Sequence, residues 1–257
     1  MVLAIDMYFD RKGVRRGARV NNRLQRIMSR ALTVRLARAR PRAYVPRPMI
    51  DDRCPVLLGS ASPRRREIMA TLGLPLRVLP AVVDETHIPE ESPLDYLGRV
   101  VEAKLAAVAQ RDEARAAGAI LVADTTVILD GHVLGKPEGF AEARAMLLAL
   151  AGRSHEVATR FALSGPVSPA MALHAETVIS TVTFRPLTTQ EIEGYAATGE
   201  GLDKAGAYAI QGVGSFAVAR VEGSYTNVVG LPACEVIAAL LRTGLLEGFP
   251  LPRPRSV

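Results

Sequence analysis

The chain has 257 residues, 49% hydrophobic and 23% charged, the profile of a soluble globular protein with room for a sizeable core. Its net charge of +6 is unevenly held: residues 1–48 carry twelve Arg and one Lys against Asp6 and Asp10, a balance of +11, while residues 49–257 balance at −5. Two cysteines, Cys54 and Cys234, give no sign of a disulfide framework or thiolate metal site, and no apolar run approaches the roughly 18–20 residues that span a bilayer.

Residues 1–48 read as an extension of the domain at 49–257. Their stretch 21–38 has the make-up of a basic amphipathic helix, after which Pro41, Pro46 and Pro48 break regular structure. A nucleic-acid or anionic-membrane contact, a targeting segment and a partner-docking arm all suit such an arm. Plain disorder is the preferred reading, or a start placed too far upstream with Met49 as the alternative. The acidic balance of the domain argues against nucleic acid. With few cysteines and no signal-peptide order at the N-terminus, a reducing cytoplasm is the expected location.

From Cys54 onward, strand and helix signals alternate. Residues 56–58 form a short apolar run ending in Leu57-Leu58-Gly59-Ser60-Ala61-Ser62-Pro63-Arg64-Arg65. Ser62 suits an N-cap and Pro63 a first helical position, with Gly73 closing the helix. The start of that helix offers free N–H groups, two serine hydroxyls and two guanidiniums, a set of groups suited to phosphate. Ser92-Pro93 opens a long helix expected to run to about residue 117. Residues 119–123 read as a buried central strand ending at Asp124, where open α/β sheets place ligands. Asp130-Gly131 between apolar runs predicts a hairpin, followed by a helix over 141–151. Strands are expected near 156–163 and 172–184. Thr188 and Glu191 form a capping box, residues 216–221 a strand, and Pro232 opens a last helix to Arg242. The result is an α/β domain built on a mixed sheet.

Charged residues cluster along these elements: Asp84-Glu85, Glu102 and Lys104, Lys136-Pro137, and Asp203-Lys204 before the glycine-bearing segment Tyr208-Ala209-Ile210-Gln211-Gly212. Together they supply cations for phosphates, carboxylates for a divalent metal and an amide for a base. Their order and spacing resemble the Maf family of nucleoside triphosphate pyrophosphatases from Val56 to about Arg242. The blocks that carry the resemblance are Ser60-Ala61-Ser62-Pro63-Arg64-Arg65, Ala123-Asp124-Thr125, Gly135-Lys136-Pro137, Leu150-Ala151-Gly152-Arg153-Ser154-His155, Asp203-Lys204-Ala205-Gly206-Ala207-Tyr208 and Val229-Gly230-Leu231-Pro232.

The resemblance implies a mixed, twisted sheet with flanking helices in two lobes around a central cleft, inosine-triphosphatase-like and often a homodimer. It implies hydrolysis between the α and β phosphates of a nucleoside triphosphate. Asp124 would accept the proton of the attacking water and contact the metal. Ser60, Ser62, Arg64, Arg65, Lys104, Lys136 and Lys204 would bind the phosphates, and Glu85 and Asp203 would help hold Mg²⁺ or Mn²⁺. His155 reads as structural. Arg65, Thr125 and Gln211 match positions tied to substrate choice and resemble the dTTP/UTP branch, which also takes modified pyrimidines. The Gln211 amide both donates and accepts, matching the O4 acceptor and N3–H donor of uracil or thymine. Gly59 and Gly201 replace a usual alanine and proline, and are expected to loosen the backbone beside the site. A rival role attached to the family is a non-catalytic nucleotide-binding regulator of septum formation and cell division.

Overall fold

The computed structural model describes residues 50–251. The expected extension over 1–48, its basic helix and the alternative start at Met49 lie outside the described residues. Strands are β1 (Val56–Leu58), β2 (Leu76–Val78), β3 (Ala119–Leu129), β4 (His132–Leu134), β5 (Ser154–Ser164), β6 (His174–Phe184) and β7 (Val218–Glu222). Helices are α1 (Pro63–Thr71), α2 (Pro93–Ala109), α3 (Phe140–Leu150), α4 (Thr189–Ala197), α5 (Tyr225–Val229) and α6 (Ala233–Arg242).

The strands form one mixed sheet in the order β2-β1-β3-β5-β6-β7, with β4 also paired to β3. The β2–β1–β3 end is parallel and the β3–β5–β6–β7 end antiparallel. The central strand β3 is longer than its apolar run predicts. It continues past Asp124 because β5 pairs with it from Ile120 to Ile128. Asp124 therefore lies in mid-strand, not at a strand tip. On the opposite edge β3 is shared: β1 takes Ala119 to Leu121, and β4 takes Val127 to Leu129. Between them the sheet is split, and residues 122–126 have no strand partner on that edge among the described residues. The cleft opens at this split.

Side chains alternate along β3. On one face Ala119, Leu121 and Ala123 join a core with Val56, Met69, Phe161 and α6, while Val127 and Leu129 join a second core with α3, α4, Phe184 and Tyr208. Thr125 falls between the two. On the other face α2 covers Ile120 and Val122. The two cores give the expected pair of lobes.

Helix α2 starts as predicted, with Pro93 in its first turn and the Ser92 hydroxyl accepting from the Asp95 N–H at 3.2 Å. It stops at Ala109 and not near 117. A separate 3₁₀ turn, Asp112–Ala116, follows, so that Ala114 and Ala117 pack back onto Val101, Val108 and Val122. Helix α2 buries Leu97, Val100, Val101, Lys104, Leu105 and Val108, the i, i+3, i+4, i+7 stripe of a core-facing helix. Lys104 stands within that stripe. The hairpin at Asp130-Gly131 and the Thr188–Glu191 capping box form as predicted. The strand expected over 216–221 is β7, two residues later, because Phe216 belongs to a 3₁₀ turn, Val213–Ala217.

Candidate active site

A cleft of about 510 Å³ lies at the split in the sheet, a volume suited to a small-molecule ligand. Its walls include all twelve residues given a catalytic, substrate-binding or metal-binding role by the resemblance: Ser60, Ser62, Arg64, Arg65, Glu85, Lys104, Asp124, Thr125, Lys136, Asp203, Lys204 and Gln211. Gly230, from the block Val229 to Pro232, also lines it, as does Tyr96, which nothing in its local sequence marks. Glu102 is exposed on α2 and is not part of the lining.

The corner between β1 and α1 forms as expected, but its two arginines divide the work. Arg64 is partly exposed at the cleft. Arg65 is buried, one turn before Met69 on the core face of α1. Its guanidinium fills the gap in the sheet: Nη1 donates to the Ala123 carbonyl at 2.9 Å and the Ser60 hydroxyl at 3.1 Å, Nε to the Gly230 carbonyl at 2.7 Å, and Nη2 to Thr125 Oγ1 at 2.9 Å. Burial lowers its pKa, opposed by the charge of Asp124. Arginine keeps its charge regardless, so Arg65 contributes positive potential with most of its donors already used. Thr125 is likewise engaged, with Thr159 Oγ1 at 2.9 Å across the strands. Ser62 occupies the N-cap position with extended backbone, yet its hydroxyl makes no capping bond.

On the α2 face of the sheet, Lys104 Nζ donates to Asp124 Oδ1 and pairs with Glu85 Oε1, both at 2.7 Å. The Lys104 and Asp124 side chains are only 7% and 12% exposed, so the pair is shielded from bulk water. Asp124 Oδ2 has no partner among the described residues. Glu85 reaches this point from an irregular segment whose carbonyl oxygen at Glu85 accepts from Tyr96 Oη at 3.2 Å. Partial burial works against the Glu85 carboxylate, but the Lys104 hydrogen bond and charge, with Lys136 and Arg65 behind it, hold it below the usual carboxylate range. Burial and the charges of Asp124 and Glu85 push the Tyr96 hydroxyl up to about 12.

The opposite wall carries Asp203, Lys204 and Gln211. Lys204 donates to the Glu200 carbonyl at 2.6 Å and pairs with Asp203, whose carboxylate also lies 3.9 Å from Arg64. Lys136 is exposed beside β4, and Gln211 is exposed with no hydrogen bond among the described residues. The expected metal trio of Glu85, Asp124 and Asp203 does not converge. Among the described residues no three His, Cys, Asp or Glu side chains are grouped to hold a metal. Asp203 is drawn aside by Lys204 and Arg64. Glu85 and Asp124 do share one cation, Lys104, and two hard carboxylates are what a Mg²⁺ completed by substrate phosphates requires. The donor set fits that arrangement and not a three-carboxylate cage.

His155 is a core residue, as expected. It bonds Tyr208 Oη through Nε2 at 2.9 Å and packs edge-on against Phe184 and Tyr208. Burial lowers its pKa to about 4. The two glycine departures do not loosen the backbone. A Cβ at Gly59 would lie 2.7 Å from Val122 Cγ1, and one at Gly201 would lie 2.0 Å from the Ala207 carbonyl. Both are points of close approach, and Ala207 itself holds a left-handed φ of 59° there.

The Maf-like protein family model matches residues 55–243, a span that contains the whole cleft. A Myxococcus xanthus protein named dTTP/UTP pyrophosphatase is 48% identical over 207 residues, covering 79% of this chain and 98% of that protein. Proteins of the same name from Geobacter sp. (strain M21) and Anaeromyxobacter dehalogenans (strain 2CP-1) are 45% and 47% identical, covering 74% and 78% of this chain and 96% and 97% of theirs. Among solved structures, a HAM1 protein from Coxiella burnetii is similar at 14% identity and a TM-score of 0.40, covering 74% of this chain and 98% of that one. No described helix is long and apolar enough to cross a membrane. By family match and by identity across nearly the full length of these relatives, the chain belongs to the Maf-like proteins.

Proposed function

We propose that the protein hydrolyses dTTP, UTP and related modified pyrimidine triphosphates to the monophosphate and pyrophosphate. The observation that carries the reading is the meeting of the Lys104-bound Asp124, four further cationic side chains and the Gln211 amide in one cleft. The dTTP/UTP name of relatives at 45–48% identity supports the same substrate class. No observation favours a non-catalytic role.

In this mechanism Asp124 takes a proton from a water that attacks the α-phosphorus. The new bond joins that oxygen to phosphorus, the α–β bridging P–O bond breaks, and pyrophosphate departs. Lys104 holds the Asp124 carboxylate in place through its 2.7 Å hydrogen bond. Arg64, Lys136 and Lys204 neutralise the triphosphate, with Arg65 adding field from behind; phosphoryl transfer needs such positioning more than a covalent nucleophile. Glu85 and Asp124 would hold Mg²⁺ or Mn²⁺, which when bound supplies further charge neutralisation on the phosphates. Gln211 pairs with the pyrimidine edge, so a wrong base leaves polar groups unpaired. The reading further includes a catalytic domain over 49–257, a homodimer and work on the cytoplasmic nucleotide pool.

The test is product analysis with the full chain, Mg²⁺ and each nucleoside triphosphate in turn. Pyrophosphate with dTMP or UMP is expected. Orthophosphate release, or preferred turnover of 7-methyl-GTP, would overturn the bond assignment or the Gln211 argument respectively.

A further inference from the structure

The segment carrying Gln211 has no regular secondary structure between Tyr208 and the 3₁₀ turn at Val213–Ala217, yet it is closely fixed. Both of its ends meet one hydroxyl–carboxylate pair. The Ala209 N–H donates to Tyr195 Oη at 3.0 Å, and Tyr195 Oη donates to Glu200 Oε2 at 2.8 Å. Beyond Gln211, the Val213 N–H donates to Glu200 Oε1 and the Gly214 N–H to Glu200 Oε2, each at 2.9 Å. Gln211 sits two residues from either anchor. Glycine makes the approach possible: a Cβ at Gly212 would fall 2.0 Å from Glu200 Oε1, and one at Gly214 would fall 2.5 Å from Tyr195 Oη.

Tyr195 is buried on α4 in the second core, and Glu200 lies three residues past the end of that helix, so the anchor is tied to that core. Neither residue lines the cleft. The Glu200 carboxylate is only partly buried, and that burial works against its charge; the N–H donors of Gly214 and Val213 with the Tyr195 hydroxyl outweigh it and hold its pKa below the usual range. Its backbone carbonyl meanwhile accepts from Lys204 Nζ. The phosphate-side contact thus uses the main chain, which side-chain substitution leaves in place, and the base-side contact uses the side chain.

We propose that Glu200, acting with Tyr195, is a positioning residue for base recognition: its carboxylate sets the loop that presents Gln211 to the pyrimidine. This rests on the substrate reading above and adds to it a residue outside the cleft on which base choice depends. Misplacing a hydrogen-bonding amide by about 1 Å costs tenfold or more in selective binding.

The test measures binding and turnover separately for the full chain and for Glu200→Ala and Tyr195→Phe. Calorimetry gives affinities for α,β-methylene-dTTP, α,β-methylene-GTP and inorganic triphosphate. In Glu200→Ala the dTTP analogue should bind roughly tenfold more weakly and the dTTP-to-GTP preference should collapse, with triphosphate affinity unchanged. Tyr195→Phe should shift both in the same direction by a smaller factor, and it removes only one oxygen, so it remains informative if Glu200→Ala fails to fold. The proposal is overturned if both variants, or the tyrosine variant alone where the other does not fold, keep the preference within twofold. It is equally overturned if triphosphate affinity falls in step with the dTTP analogue. Absence of pyrophosphate release by the unsubstituted chain would instead sink the activity reading, whatever the binding preferences.

Discussion

Asp124 and Arg65 illustrate two uses of a buried charge. Asp124 has a single cationic partner and a free oxygen in the cleft, so Asp124→Asn should remove the proton acceptor while leaving the packing intact. Pyrophosphate release should fall by at least about 10²-fold with the melting temperature nearly unchanged. Arg65, by contrast, satisfies three acceptors on two elements at once, Ala123 and Thr125 on β3 and Gly230 at the end of α5. Arg65→Met takes the guanidinium donors from the buried Ala123 carbonyl and from Thr125 and Gly230, at about 1–3 kcal/mol for each acceptor left unpaired. Thermal denaturation should therefore show a large loss of stability accompanying any loss of turnover; an unchanged melting temperature would contradict the structural role given to this guanidinium. Both residues could be found in the sequence, but their division of labour could not. Lys104 was more legible than either, being a lysine in a stripe of otherwise apolar helical positions.

At the scale of elements, local signals served well and paired edges served poorly. The Ser92-Pro93 start, the Asp130-Gly131 hairpin and the Thr188–Glu191 box each depend on residues within four positions, and each formed where expected. Asp124 looked like a strand tip because the apolar run stops before it. Pairing with β5 carries the strand on to Leu129, and that partner lies some thirty residues away. The Glu200 anchor is hidden for the same reason, since its value comes from main-chain groups of a distant loop. His155 at the start of β5 yields a pH prediction. Burial lowers its pKa to about 4 in the folded protein from the ordinary 6.5 of a histidine, so the unfolded chain binds the extra proton between those values. Stability is then complete above about pH 6.5 and lost as pH falls toward 4, by about 3 kcal/mol in total. Chemical denaturation across pH 7 to 4 should show that slope, and His155→Phe should flatten it.

For the whole molecule, two cores grip the ends of β3 and β5, and the chemistry occupies the seam between them. Five of the six sequence blocks meet there because β3 is shared between β1 and β4 on one edge, while the sixth, Leu150 to His155, packs into the second core. The order of the blocks was legible; the split in the sheet that gathers them was not, since β4 is only three residues long and reads as an ordinary hairpin arm. Asp203 marks where gathering stops short, held by Lys204 and Arg64 instead of joining Glu85 and Asp124.

In the proposed mechanism, water activated at Asp124 attacks the α-phosphorus of a pyrimidine triphosphate. Turnover of dTTP in ¹⁸O-labelled water, read by mass spectrometry of both products, tests it most directly. The label should appear in dTMP and be absent from pyrophosphate; label in the pyrophosphate would place the attack on the β-phosphorus and contradict the account.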